Sequence, residues 1–263
     1  MIQPPDNQNP KVSLVVPCYN EEDGLQSMVY RLAEAMRIHH VPFELVLVDN
    51  GSKDGTGSEI DALITEGGYP IRKVVVTENQ GYGHGVLKGL EVCTADYVGF
   101  ICADEQVDAF DVARMCRTAM RSPSRRLYKV RRRFRMESFT RQIVSGIYNE
   151  LTNMIFGGLR SHDLNGNPKL FPRTHYQRMN LNSKDWFLDA EVMVKAKRMD
   201  LPVFEVNVFS QMRAEGNSNV KPSTCWEFLK NLAQYRWGSK RHLLDVHPAP
   251  QTVPANARST EAK

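Results

Sequence analysis

Val12-Ser-Leu-Val-Val-Pro-Cys-Tyr-Asn-Glu-Glu22 changes character half-way along. Val12 to Val16 is a β-branched apolar run suited to a strand buried on both faces; Pro17 ends it, and Tyr19, Asn20 and Glu21 follow as a polar exit. Downstream, Leu25, Met28, Val29, Leu32 and Met36 recur at helical spacing, and Phe43 to Val48 repeats the apolar run before stopping at Asp49-Asn50-Gly51-Ser52. Strand, helix and strand make a β-α-β unit. Asp54-Gly55-Thr56 opens a second helix through Glu66, Gly67-Gly68-Tyr69-Pro70 breaks it, Arg72 to Thr77 reads as a third strand, His84 to Cys93 as a helix, and Tyr97 to Ile101 as a fourth strand. Such repeats predict an α/β fold: one domain with a Rossmann-like, mostly parallel sheet flanked by helices and a ligand crevice at the carboxyl ends of its strands.

Those ends are polar. Tyr19, Asn20 and Glu21 follow the first strand, Asp49 and Ser52 the second, Asn79 the third, and the fourth empties into Asp104, Glu105, Gln106 and Asp108. Hard oxygen donors in one place suit Mg²⁺ or Mn²⁺, which commonly neutralises substrate phosphates; the competing explanation is a solvated acidic turn. Gly81-Tyr82-Gly83-His84-Gly85 follows the third strand and has GxGxG spacing, so it reads as a tight helix entry rather than a dinucleotide fingerprint.

The 263 residues carry a net charge of +4. Cys18, Cys93, Cys102, Cys116 and Cys225 form no CxxC pair, which points to a reducing, cytosolic setting. No signal peptide is legible and no apolar run reaches membrane-spanning length, so the expected location is cytoplasmic, soluble or peripheral on the cytoplasmic membrane face. Charge is uneven: Arg121 to Arg141 holds nine Lys or Arg against the single acid Glu137. That stretch calls for an anionic partner or is a solvated face; lacking interleaved stacking aromatics and a recognisable module, it is not expected to bind nucleic acid.

Further on, Phe139, Ile143, Ile147, Leu151 and Ile155 predict a helix over 137–156, followed by a loop from Gly157 to Asn167. Trp186 to Met199 reads as a helix, Val203 to Val208 as a strand, and Thr224 to Trp237 as a helix rich in aromatics. The last of these has two open readings, packing on the core or lying on a membrane with Lys230, Arg236, Lys240 and Arg241 near anionic lipid. The chain thus divides into a flexible start at 1–10, the α/β domain at 11–220, an amphipathic helix at 221–244 and a disordered tail at 245–263.

Several ordered motifs resemble the family-2 glycosyltransferases of GT-A fold, and among them the dolichyl- or polyprenyl-phosphate sugar synthases. These are Val15 to Glu22, Val48 to Thr56, Asn79 to Gly89, Asp163 to Phe171, Asp189-Ala190-Glu191, and Arg213 with Gly216 and Ser218. The resemblance implies that Pro17, Tyr19, Glu21, Asp49 and Asp104 hold the nucleotide of a UDP- or GDP-sugar. It also implies that Asp104 and Gln106 bind Mg²⁺ or Mn²⁺, and that Arg131, Arg141, Ser145 and Lys169 receive the acceptor phosphate. Asp104, Arg213 and Asp189 would serve catalysis. Cys102 stands where the family has its first metal-binding aspartate, and a thiol is a soft ligand ill suited to Mg²⁺; Asn219 replaces the family's lysine, with Lys221 nearby.

The implied activity is inverting transfer of a sugar to a phosphate acceptor, polyprenyl phosphate being the first candidate. An anionic nucleophile needs no strong base. A saccharide hydroxyl or other glycan acceptor would need one, with Asp189 or Glu191 as candidates. A nucleotide-sugar-binding protein without turnover is the remaining alternative.

Overall fold

The computed structural model describes residues 9–135, 139–159, 161–210 and 222–248; side chains at 134, 135, 139–141 and 222–228 are outside that description. Arg213, Gly216, Ser218, Asn219 and Lys221 also lie outside the described residues, as do the start at 1–8 and the tail from 249.

Strands β1 (Val12–Cys18), β2 (Phe43–Asn50), β3 (Ile71–Val76) and β4 (Tyr97–Phe100) alternate with helices α1 (Leu25–Ile38), α2 (Thr56–Glu66) and α3 (Tyr82–Glu91), as the apolar runs predict. Then come α4 (Ala109–Arg121), β5 (Leu127–Arg135), α5 (Phe139–Phe156), β6 (Lys169–Pro172), α6 (Arg173–Met179), α7 (Leu188–Arg198), β7 (Val203–Ser210), α8 (Pro222–Arg236) and a 3₁₀ turn, Arg241–Leu244. One seven-stranded sheet runs β3-β2-β1-β4-β6-β5-β7. β6 alone opposes its neighbours, antiparallel to both β4 and β5.

Each face of the sheet is covered. Leu14 and Val16 of β1 pack with Met28, Leu32 and Met36 of α1 and with Val112 and Met115 of α4. Val15 points the other way, into a second core with Val86 and Leu90 of α3 and Val192 of α7. This two-sided burial is why the first strands read as continuous apolar runs instead of alternating ones.

Two parts differ from expectation. The basic run is not simply a surface: β5 lies between β6 and β7, with Tyr128, Lys129 and Val130 buried, so part of its charge meets internal partners. Secondly, the apolar residues of α5 do not all turn inward. Ile143 is 45% exposed, Ile147 56% and Met154 73%, while Leu151 and Ile155 pack against the core.

The glycine run does serve as a helix entry. Gly81 caps α3 at φ 115°, a conformation L side chains rarely adopt. A Cβ on Gly83 would overlap the backbone carbonyl oxygen of Ser183 and stand 2.7 Å from that of Asp185. Backbone cannot yield as a side-chain tip can, so Gly83→Ala is expected to destabilise the protein by about 1–3 kcal/mol, read as a lower urea midpoint at unchanged slope. An unchanged midpoint would show that the 183–185 segment shifts freely.

Candidate functional site

The ends of β1 and β2 are tied into one rim. Cys18 stands in register with Asp49. Asp49 Oδ1 accepts from the Ser52 backbone N–H at 3.0 Å, Ser52 Oγ from the Asn20 N–H at 3.3 Å, and Asn20 Oδ1 from the Lys53 N–H at 2.9 Å. Glu21 N–H donates to Thr56 Oγ1 at 2.9 Å. Burial, reinforced by the carboxylates of Glu21, Asp49 and Asp54, pushes the Cys18 thiol pKa up. Burial would also raise Asp54, but hydrogen bonds from Thr56 and from the Glu22 and Asp54 N–H groups outweigh it and lower that carboxyl. Tyr19 is 39% exposed beside this acidic rim, so an aromatic face and carboxylates are offered together.

At the end of β4, the Asp104 Oδ1 accepts from the Gln106 N–H at 3.4 Å. Glu105 takes a left-handed backbone, φ 50°, and its carboxylate meets Arg31 of α1 at 2.6 Å; the same guanidinium lies 3.9 Å from Asp108. The Glu105 and Asp108 carboxylates of this turn are thus both drawn toward Arg31. Asp108 also caps α4, accepting from the Phe110 N–H at 2.9 Å.

The third side comes from later in the chain. Lys169 begins β6 opposite Phe100, and its wholly buried ammonium meets the Asp189 carboxylate, the Gly166 carbonyl at 3.2 Å and Asn167 Oδ1 at 3.5 Å. The expectation that Lys169 faces an acceptor phosphate is therefore revised: it fixes Asp189. Arg132 holds Asp163 through both Nε and a terminal nitrogen, each at 2.9 Å. A bulge between Arg132 and Phe134 interrupts the β5–β7 register here. Arg131 forms no ion pair among the described residues, so of these two neighbours it is the one left to face an anion. The Arg141 side chain lies outside the described residues, and Ser145 on α5 is half-buried.

Cys102 Sγ lies 4.0 Å from the hydroxyl of Tyr82. Tyr82 stacks on Trp186 at 4.6 Å between centroids, and Asn167 Nδ2 donates to the Tyr82 oxygen at 3.2 Å and to Cys102 Sγ at 3.7 Å. Burial first, then the charges of Asp104 and Asp189, drives the Cys102 pKa up to about 12. Trp186, Tyr82 and Asn167 were not among the residues singled out from sequence; aromatics just before Asp189 and inside the glycine run were the available signal.

These donors bear on a metal. The described residues contain no group of three His, Cys, Asp or Glu able to hold an ion, and burial raises the Cys102 thiol pKa, which disfavours the thiolate there. What remains is Asp104 with Gln106 beside it, a donor set that fits a divalent ion only if substrate phosphate oxygens and water complete the shell.

Residues 13–181 match the family model described as "Glycosyl transferase family 2". An undecaprenyl-phosphate 4-deoxy-4-formamido-L-arabinose transferase of Pseudomonas fluorescens Pf-5 is 34% identical over 104 residues, covering 40% of this chain and 31% of that protein. The protein of the same name from Proteus mirabilis is 26% identical over 147 residues, 56% and 44% of the two chains. The matched part thus spans less than half the length of these relatives. Among solved structures, glucosyl-3-phosphoglycerate synthase of Mycobacterium tuberculosis with phosphoglyceric acid superposes with a TM-score of 0.67 at 16% identity, over 86% of this chain and 80% of the other. A mannosyltransferase of Pyrobaculum calidifontis with GDP-mannose and Mn²⁺ gives 0.58 at 16%, over 89% and 72%. At such identities the likeness establishes the fold.

Lys129 next to the site supplies a pH test. It is wholly buried, donating to the Val130 carbonyl at 2.9 Å and to Glu205 at 3.2 Å; burial, then the nearby Lys169 charge, lowers its pKa from 10.5 to about 8 against the pull of Asp163 and Glu205. Between those two values the unfolded chain binds the proton and the folded one does not. Stability contributed at Lys129 therefore rises from about pH 8 to 10.5. Urea unfolding across that range should show the rise in the wild type and its loss in Lys129→Met; parallel curves would contradict it.

Proposed function

The chain belongs to glycosyl transferase family 2, and from that membership we propose that it moves a sugar from a UDP- or GDP-sugar to a phosphate acceptor, polyprenyl phosphate in the first place. The observation carrying this is how the acids of the site are spent. Glu191 is fully buried, bonded to Lys195 at 2.6 Å and to the backbone N–H groups of Asn182 and Ser183. Asp189 is bound by Lys169. Neither is placed to take a proton from a sugar hydroxyl, whereas an acceptor phosphate is anionic near neutral pH and attacks without a base. The undecaprenyl-phosphate specificity in the relatives' names agrees with this.

In this reading Tyr19 lies against the nucleoside base, with Asp49 and Glu21 accepting from base N–H or ribose hydroxyls and Pro17 shaping the turn. Asp104, with Gln106, would hold a Mg²⁺ or Mn²⁺ whose charge offsets that of the departing diphosphate. Arg213 is assigned to the same diphosphate. On the opposite side, Arg131, Arg141 and Ser145 orient the acceptor phosphate for displacement at the anomeric carbon, with inversion. Asp189 keeps the reacting centre's wall in place through Lys169.

The chain works at a membrane surface in this reading. No helix among the described residues is long and apolar enough to cross a membrane. Ile143, Ile147 and Met154 on α5 and Trp237, 68% exposed after α8, offer apolar contacts beside basic residues.

Labelled UDP- and GDP-sugars incubated with Mn²⁺ and undecaprenyl phosphate should yield labelled lipid. Label moving to a saccharide and never to lipid would overturn the acceptor assignment. Asp104→Asn should lower transfer by about 10² or more. Cys102→Ala should stay within about threefold of wild type with unchanged metal dependence, since charge-assisted ligation is absent from a protonated thiol; loss of metal dependence in that variant would make the thiol a ligand.

A further inference from the structure

The carboxyl ends of α5, α7 and α8 meet the 3₁₀ turn around a cleft of about 510 Å³. Val194 and Tyr235 lie buried beneath it, Met154 and Phe156 offer apolar surface at its edge, and Lys197, Arg198, Arg236 and Arg241 surround it. It is not part of the transfer crevice: α7 carries Asp189 there at one end and Arg198 here at the other, nine residues and about 14 Å along the helix.

The cations are only partly accounted for by the fold. Lys197 donates to the last carbonyls of α5, at Phe156 (3.0 Å) and Gly157. Arg236 Nε donates to the Ile155 carbonyl at 3.1 Å, and Arg198 pairs with Asp245 at 2.8 Å. The Arg241 side chain has no hydrogen bond or ion pair among the described residues. Four cations thus face one carboxylate, and three helix ends at about −0.5 each still leave roughly +1.5. Capping explains Lys197 and one donor of Arg236, whose guanidinium also lies over the Trp237 ring at 5.7 Å; it leaves the fork of Arg241 without a partner among the described residues.

We propose that this cleft is a second, separate binding site for a phosphate group whose substituent is apolar. Phosphate offers the oxygens that guanidinium forks address bidentately, and the substituent lies against Met154 and Phe156 at the cleft's edge. The same chemistry comes either from a soluble phosphomonoester or from the headgroup of an anionic lipid.

Phenyl phosphate and inorganic phosphate, titrated against the whole chain by calorimetry with amide shifts followed by NMR, provide the test. Phenyl phosphate should bind more tightly than inorganic phosphate, with shifts at Gly157 and around Arg241. Arg241→Ala, an exposed change that leaves the core intact, should weaken both by about tenfold or more. Vesicles separate the sources: flotation with phosphatidylglycerol but not phosphatidylcholine, abolished by Arg241→Glu, assigns a lipid, whereas soluble binding without flotation assigns a free phosphomonoester. Absence of phenyl phosphate binding up to about 10 mM, or affinity unchanged in Arg241→Ala, overturns the site. None of these readings requires sugar transfer, so their failure is distinguishable from failure of the proposed activity.

Discussion

A buried ion pair stands at the centre of this fold. Lys169, at the start of the one strand that runs against the others, is wholly enclosed, and its ammonium has Asp189 for its counter-ion. Stripping such a pair of one partner costs about 3–5 kcal/mol, because the survivor is left charged and dry. The pair therefore locks the β6 strand to the first turn of α7, and with them the loop bearing Asn167 and the segment bearing Trp186. The Cys102 pocket, the Tyr82–Trp186 stack and the wall of the crevice all inherit their positions from it.

Much of the remaining charge is used in the same inward manner. Glu191 with Lys195, Arg132 with Asp163, and Lys129 with Glu205 neutralise groups that would otherwise be costly to bury. A sequence dense in Arg and Lys thus presents fewer free cations to a ligand than its composition suggests. Arg131 is distinguished from Arg132 by this accounting and by nothing in their chemistry.

The first half of the fold was legible because its signals are local. Apolar runs in β1 and β2 ending in polar clusters, and helical spacing in α1, specify elements without reference to distant residues. β5 and β6 were not legible, since Lys129 and Lys169 look like surface residues until their partners, far along the chain, are known. The acidic turn after β4 was legible as a cluster but not as a division of labour: α1 contributes Arg31, which draws Glu105 and Asp108 aside and leaves Asp104 with Gln106. Likewise the periodicity of α5 is real, yet period alone does not say which way a stripe faces.

The strand order carries a consequence for how the chain is made. β4 can pair with β1 as soon as both exist, but its other edge waits for β6, with Lys169 lying opposite Phe100, 69 residues further on. β5 is synthesised before either of its neighbours in the sheet, β6 and β7. During translation the amino-terminal half therefore presents an unfilled edge, and the arginine-rich β5 waits unpaired beside it. Strands in that situation invite pairing with other chains, and a strand loaded with like charges repels its own copies. By that physics the density of arginine in β5 disfavours pairing of the strand with its own copies while its neighbours in the sheet are still missing.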